Sequence, residues 1–176
     1  SYGFLFQGSP NINVSSCTFT DCFVGGYFDI SSGSVSDCSI DIAPGGTGIG
    51  FDGNGHVLIS GCTISNAYRN LYIVGASDLT FEGNVFNPTE AEFINICNCT
   101  PVFRNNHILP GSGYSVYLGC SLTSEGHLDL TNNYWGTTEP DSIAAWIFDA
   151  NDVGGPRLGI VDFEPFSATP LPTESP

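Results

Sequence analysis

Apolar residues recur along this chain at fixed offsets. Six short strings share one register: INVSSCTF (12–19), GSVSDCSI (33–40), VLISGCTI (57–64), LTFEGNVF (79–86), PVFRNNHI (101–108) and LDLTNNYW (128–135). An apolar anchor stands at Val14, Val35, Ile59, Phe81, Phe103 and Leu130. Three positions on comes a small polar or thiol residue, Cys17, Cys38, Cys62, Asn84, Asn106 and Asn133. Two further on comes a second apolar row, Phe19, Ile40, Ile64, Phe86, Ile108 and Trp135. The anchors lie 21, 24, 22, 22 and 27 residues apart (35−14, 59−35, 81−59, 103−81, 130−103). A repeat of that length, alternating in the manner of strands and without helical periodicity, predicts a solenoid of about six coils. One coil cannot bury its apolar face alone and must stack on its neighbours.

A second strand precedes each anchored one: GFLF (3–6), YFDI (27–30), GIGF (48–51), NLYI (70–73), EFINI (92–96) and SVYL (115–118). Alternation points Phe4 and Phe6, Ile49 and Phe51, Leu71 and Ile73, and Val116 and Leu118 inward. Turn residues separate the strands at GSPN (8–11), SSGS (31–34), DGNG (52–55) and GASD (75–78). The third side of each coil reads as less regular, as in SNAYRN (65–70) and FNPTEAE (86–92). Equivalent strands pair in parallel one turn later, and parallel crossovers are right-handed by rule, so the predicted class is an all-β, right-handed parallel β-helix. At about 4.8 Å per step the rod is roughly 30 Å long.

The repeat ends after residue 137. TEPDSIAAWIFDAND (138–152) reads as a short helix, with Asp141 as its cap and Ile143, Trp146 and Ile147 on one face. LGIVDFEPF (158–166) reads as a last strand, so residues 138–166 form a cap over the final coil. SATPLPTESP (167–176) has the composition of a linker. Three segments result: coils over 1–137, a cap over 138–166 and a tail over 167–176.

These residues resemble the right-handed parallel β-helix repeat proteins of the pectate-lyase-like superfamily. The C-T-I/F and N-x-F coil pattern carries the resemblance over residues 2–135. The ending NNYWGTTEPDSIAAWIFDAND…GIVDFEPF is similar to a closing module of secreted and cell-surface members. The resemblance implies the fold, and a range from pectate lyases and polygalacturonases to adhesins and non-catalytic surface modules. Fold alone does not choose among them.

Charge narrows the range. The chain of 176 residues carries a net charge of −15 with only 12% charged residues. It has no lysine, and its cations are Arg69, Arg104, Arg157 and the histidines. Such a field repels nucleic acid and anionic membranes. No apolar run is long enough to span a bilayer, so membrane insertion is not expected. Seven cysteines with abundant Gly, Ser, Thr and Asn suit an extracellular or cell-surface protein. The absence of methionine reads as a processed product or an excised piece.

The candidate chemistry is sparse. Cys17, Cys38 and Cys62 read as small apolar fillers of a ladder, with a Cys17–Cys38 bridge as the alternative. Asn84, Asn106 and Asn133 continue that row as stacked amides. Cys99–Cys120 is the preferred disulfide and Cys97–Cys120 the alternative; an odd cysteine count leaves at least one thiol over. Asn13-Val14-Ser15 and Asn98-Cys99-Thr100 match the N-glycosylation acceptor pattern. No dedicated metal site is expected; calcium, drawn by Asp21, Asp37 and Asp52, is the one candidate ion.

Catalytic motifs do not emerge. The paired aspartates and Gly-His-Gly of polygalacturonases are missing, and His56 reads as a turn residue. Arg69 and Arg104, the basic candidates for lyase chemistry, lie on different coils outside the family's arginine motif. The outward positions of the first strand, Leu5, Gly50, Tyr72, Ile94 and Tyr117, form the best binding row, suited to sugar rings or a protein surface. The resulting expectation is a non-catalytic structural or attachment solenoid, stacking head to tail with like subunits or meeting other surface proteins through its open first coil. A carbohydrate-binding module is the alternative, and a polysaccharide lyase or hydrolase the second.

Overall fold

The computed structural model describes residues 1–53, 55–76, 78–87, 92–120, 126–153 and 158–172. Each coil has three sides, and three parallel ladders climb the rod. The first-strand ladder runs β1 (Tyr2–Gln7), the second half of β3 (Thr18–Asp29), the second half of β5 (Ser39–Asp52), β8 (Arg69–Val74), β11 (Glu92–Cys97), β14 (Tyr114–Leu118) and β16 (Ile147–Phe148). The anchored ladder runs β2 (Ile12–Ser15), β4 (Gly33–Ser36), β6 (Val57–Ser60), β9 (Leu79–Glu82) and β12 (Val102–Arg104). The third runs through the first halves of β3 and β5, then β7 (Thr63–Ser65), β10 (Val85–Asn87) and β13 (His107–Ile108).

The register matches residue for residue: Val14 faces Val35, Val35 faces Ile59, Ile59 faces Phe81, and Phe81 faces Phe103. These columns stack like on like. Phe28 lies on Phe51 at 5.4 Å between ring centroids, and Phe81 on Phe103 at 4.7 Å. Each such ring or branched side chain withdrawn from water contributes about 1.5–3 kcal/mol, and burial is near complete from the second coil upward. In the first coil Phe4, Phe6, Ile12 and Val14 are covered on one side only and are half-buried.

Two expectations change. Each of the first five eight-residue strings is two strands joined at a corner, so the third side is an ordinary strand; in the sixth, β15 (His127–Asp129) is followed only by an isolated bridge at Tyr134. The residue two after every anchor adopts left-handed backbone: Ser16 (φ 52°), Asp37 (53°), Gly61 (61°), Gly83 (64°), Asn105 (55°) and Asn132 (60°). Glycine and short polar side chains tolerate that region best, which explains the composition of the row. Of FNPTEAE (86–92), residues 88–91 lie outside the described residues.

The cap also differs. Its helix breaks early into α1 (Pro140–Ala145), with Glu139 at the N-cap and Asp141 inside the first turn, so Asp141 is no cap. Ile147 and Phe148 then leave the helix and pair with Val116 and Tyr117, adding a rung to the first-strand ladder. The short α2 (Ala150–Val153) follows, entered through buried Asp149, whose carboxylate accepts N–H bonds from Asn151 (2.8 Å) and Val161 (2.9 Å). The last strand, β17 (Ile160–Asp162), pairs with β15 (His127–Asp129) rather than with the anchored ladder. The tail, in its described part, is not free. The Ser167 N–H donates to the Asn133 carbonyl at 3.0 Å, and the Leu171 N–H to Nε2 of His107 at 2.9 Å. The chain's own coils therefore hold it; residues 173–176 lie outside the described residues.

Candidate functional site

The first-strand ladder presents one flat outer row. Register partners carry it from Leu5 to Tyr27, Gly50, Tyr72, Asn95, Tyr117 and Phe148. Leu5, Gly50, Tyr72 and Tyr117 hold the predicted row, but Ile94 does not. Ile94 pairs with Leu71 and Val116 and is fully buried; Asn95 takes the outward position. In EFINI both Phe93 and Asn95 share a parity, so the choice of Ile94 reversed the strand's faces. Tyr27 and Phe148 were missed. Aligning YFD (27–29) with GFD (50–52) would have exposed Tyr27, whereas Phe148 sits in a segment with a helical pattern.

The row is aromatic for most of its length. Tyr117 and Phe148 stack at 4.8 Å with 12° between their planes, and Tyr114 joins them at 5.3 Å from Phe148. The Arg69 guanidinium packs on Tyr68 and Tyr72 at 5.3 and 5.6 Å from the ring centroids, a favourable cation–ring arrangement. Asp29 and Asp52 share the same face two residues beyond Tyr27 and Gly50. Burial first, and then these carboxylates, push the Tyr27 hydroxyl above its ordinary pKa.

The disulfide at the edge of this face is Cys97–Cys120, with Cα atoms 5.0 Å apart, which corrects the preferred Cys99–Cys120. Cys97 extends β11 outward, while Cys99 turns into the core, where burial pushes its thiol up to about 11. Cys17 and Cys38 are free thiols, so no bridge forms there. The ladder residues line the buried corner and bind one another. Cys17 and Cys38 donate their backbone N–H groups to the sulfurs of Cys38 and Cys62 at 3.4 and 3.5 Å. From Cys62 on, the acceptors are the Oδ1 atoms of Asn84, Asn106 and Asn133, at 2.9, 3.0 and 2.8 Å.

A second region opens where β15 leaves the anchored ladder. The cleft, about 530 Å³, is lined by Thr100, Arg104, Asn105, His127, Asp129 and Thr131. His127 Nδ1 lies 2.8 Å from Asp162, and His56 Nδ1 lies 2.8 Å from Asp78 in the same arrangement further down the rod. Arg69 belongs to the tyrosine face and Arg104 to the cleft, so these two cations do not converge. Asp37 lies at the corner and Asp52 on the first-strand face. Asp21 borders a pocket with Asp41 and Asn66. Among the described residues no three metal-ligating side chains gather. Arg157 lies outside the described residues.

Comparison with protein-family models matches residues 1–134 to the right handed beta helix region. The chain belongs to the right-handed β-helix family. No curated protein and no solved structure matches it. Within this β-helix the match takes in β1 to β15 and ends before α1. No helix among the described residues is long and apolar enough to cross a membrane, and the disulfide fits an oxidising compartment rather than the cytosol.

Proposed function

We propose that this β-helix is an extracellular attachment module that binds carbohydrate along its first-strand face. One observation carries the reading: an outward row on a flat parallel sheet places Tyr27, Tyr72, Tyr117 and Phe148 in line. Aromatic rings supply apolar area for the C–H faces of sugars and polar edges for their hydroxyls. Asp29 and Asp52 beside the row offer acceptors to those hydroxyls. The test is a glycan array probed with the wild-type chain and with Tyr27→Ala/Tyr72→Ala. Binding that disappears in the double variant supports the reading, and silence of the wild type across the array removes it.

End-to-end stacking is the second reading. It is favoured by the half-buried apolar column of Phe4, Phe6, Ile12 and Val14, which a further coil, of this chain or of another, would cover. The tail gives it no support, because His107 and Asn133 hold it within one chain. Sedimentation velocity over a wide concentration range tests it: growing rods support it, and a constant monomer counts against it.

A further inference from the structure

We infer that the ligand of this face is a neutral glycan of extended, two-fold form, such as a β-1,4-linked hexopyranose chain, lying along the rod axis with one disaccharide per two coils. The inference rests on the carbohydrate reading above and adds its register and its charge.

The register comes from the spacing of the tyrosines. Tyr27, Tyr72 and Tyr117 lie 45 residues apart in each step (72−27, 117−72), and register pairing places them on every second rung. The rungs between carry Gly50 and Asn95, and the Tyr27 ring leans over Gly50. A Cβ on Gly50 would stand 2.6 Å from Cδ2 of Tyr27, so that ring reaches across the glycine's rung. Asn95 holds the outward position in register and is only 9% accessible. Between Tyr27 and Tyr117 the face therefore repeats every two rungs, about 9.6 Å; Phe148, one rung past Tyr117, stands outside that period. In a two-fold β-1,4-linked chain each sugar is turned over relative to the last, so the same ring face returns once per disaccharide, at a closely similar distance. Helical β-1,3-linked and coiled α-1,4-linked chains do not return a face at that interval.

The charge comes from the rows alongside. Gln7, Asp29 and Asp52 are register partners on the flank of the tyrosine row, and the chain as a whole carries −15. Carboxylates accept hydrogen bonds from sugar hydroxyls and repel uronates, so polyanionic glycans are disfavoured.

Titration calorimetry with β-1,4-linked gluco-oligosaccharides of two, four and six rings tests the inference, with β-1,3-linked and α-1,4-linked six-ring chains and hexagalacturonate as comparators. The expected result is a gain of about tenfold in affinity for each added disaccharide. All three comparators should bind more weakly than the six-ring β-1,4 chain. Tyr72→Ala should bring that chain down to the affinity of the two-ring one. Tyr27→Ala, on another coil, should cost about tenfold by itself and guards against a folding defect in the first variant. Equal binding of the comparators, tighter binding of hexagalacturonate, or affinity independent of length overturns the inference while leaving the carbohydrate reading standing. Binding of none of the oligosaccharides, together with a silent glycan array, overturns both.

Discussion

One corner of the rod is built in two chemistries. In the lower coils it holds the thiols Cys17, Cys38 and Cys62; in the upper coils, the amides Asn84, Asn106 and Asn133. The backbone is the same in both, with left-handed residues just before the ladder. In both halves the backbone N–H of one coil donates to the side chain of the next. The amide does more with the same position. Asn106 accepts from Asn84 N–H and from Asn84 Nδ2, and donates to the Phe81 carbonyl at 3.0 Å. A thiol is a weak donor and weak acceptor, and contributes mainly its small apolar volume. Cys62 makes the same contacts more weakly, accepting from Cys38 N–H and reaching the Val35 carbonyl at 3.7 Å. The difference teaches that either residue can fill a solenoid corner, and that the amide adds a side-chain bond from coil to coil, Asn84 Nδ2 to Asn106 Oδ1 and Asn106 Nδ2 to Asn133 Oδ1.

The largest effect should follow from breaking the amide half. Asn106→Ala leaves buried donors on Asn84 and the Phe81 carbonyl without partners, and should cost about 3–5 kcal/mol of stability in urea unfolding. The matching change in the thiol half, Cys38→Ala, removes only weak bonds and a small volume, with an expected loss of about 1 kcal/mol. Equal losses would mean that the ladder acts through packing alone.

The disulfide comes next. Replacing Cys97 and Cys120 by Ala should lower stability by about 3 kcal/mol, as a closed loop of this size implies. Reductant should lower the wild-type melting temperature and leave that of the double variant unchanged.

A pH-dependent difference separates the halves further. Burial pushes the Cys62 thiol up to about 12 from an ordinary 9.0. Unfolded chains release this proton near the ordinary value, whereas the native state keeps it until near the raised one. Above pH 9 the unfolded state therefore binds fewer protons, and stability falls as pH rises from about 9 toward 12. Cys62→Ala should flatten that fall, and thiolate-selective alkylation of the folded chain at pH 8 should leave Cys62 and Cys99 unlabelled. Asn84, in the same column, has no titrating group and contributes no such slope. The smallest effect belongs to the outer face: Tyr72→Ala should change unfolding stability by less than about 1 kcal/mol while abolishing affinity gains on longer glycans.

The coils were legible because a parallel stack writes its register into the chain. Val14, Val35, Ile59, Phe81 and Phe103 occupy one column, and their spacing alone placed them there. The corner inside each string was less visible, since a left-handed Ser16 or Asp37 differs from a strand residue only in a backbone angle. On the candidate site, Tyr72 and Tyr117 followed from alternation, and Ile94 failed because EFINI is apolar on both parities. Phe148 was hidden by the helical pattern around it, which the Val116 and Tyr117 edge overrode by capturing Ile147 and Phe148 as a rung.

Periodicity by itself determined the fold, the inward columns and the membership of the corner ladder, because each is a local rule repeated once per coil. Three outcomes waited for the tertiary structure: which of Cys97 and Cys99 meets Cys120, where the tail docks, and that Phe148 joins the row of Tyr72 and Tyr117. Each depends on the direction of a side chain across coils. That direction is set by small turns between strands, whose geometry no repeat encodes.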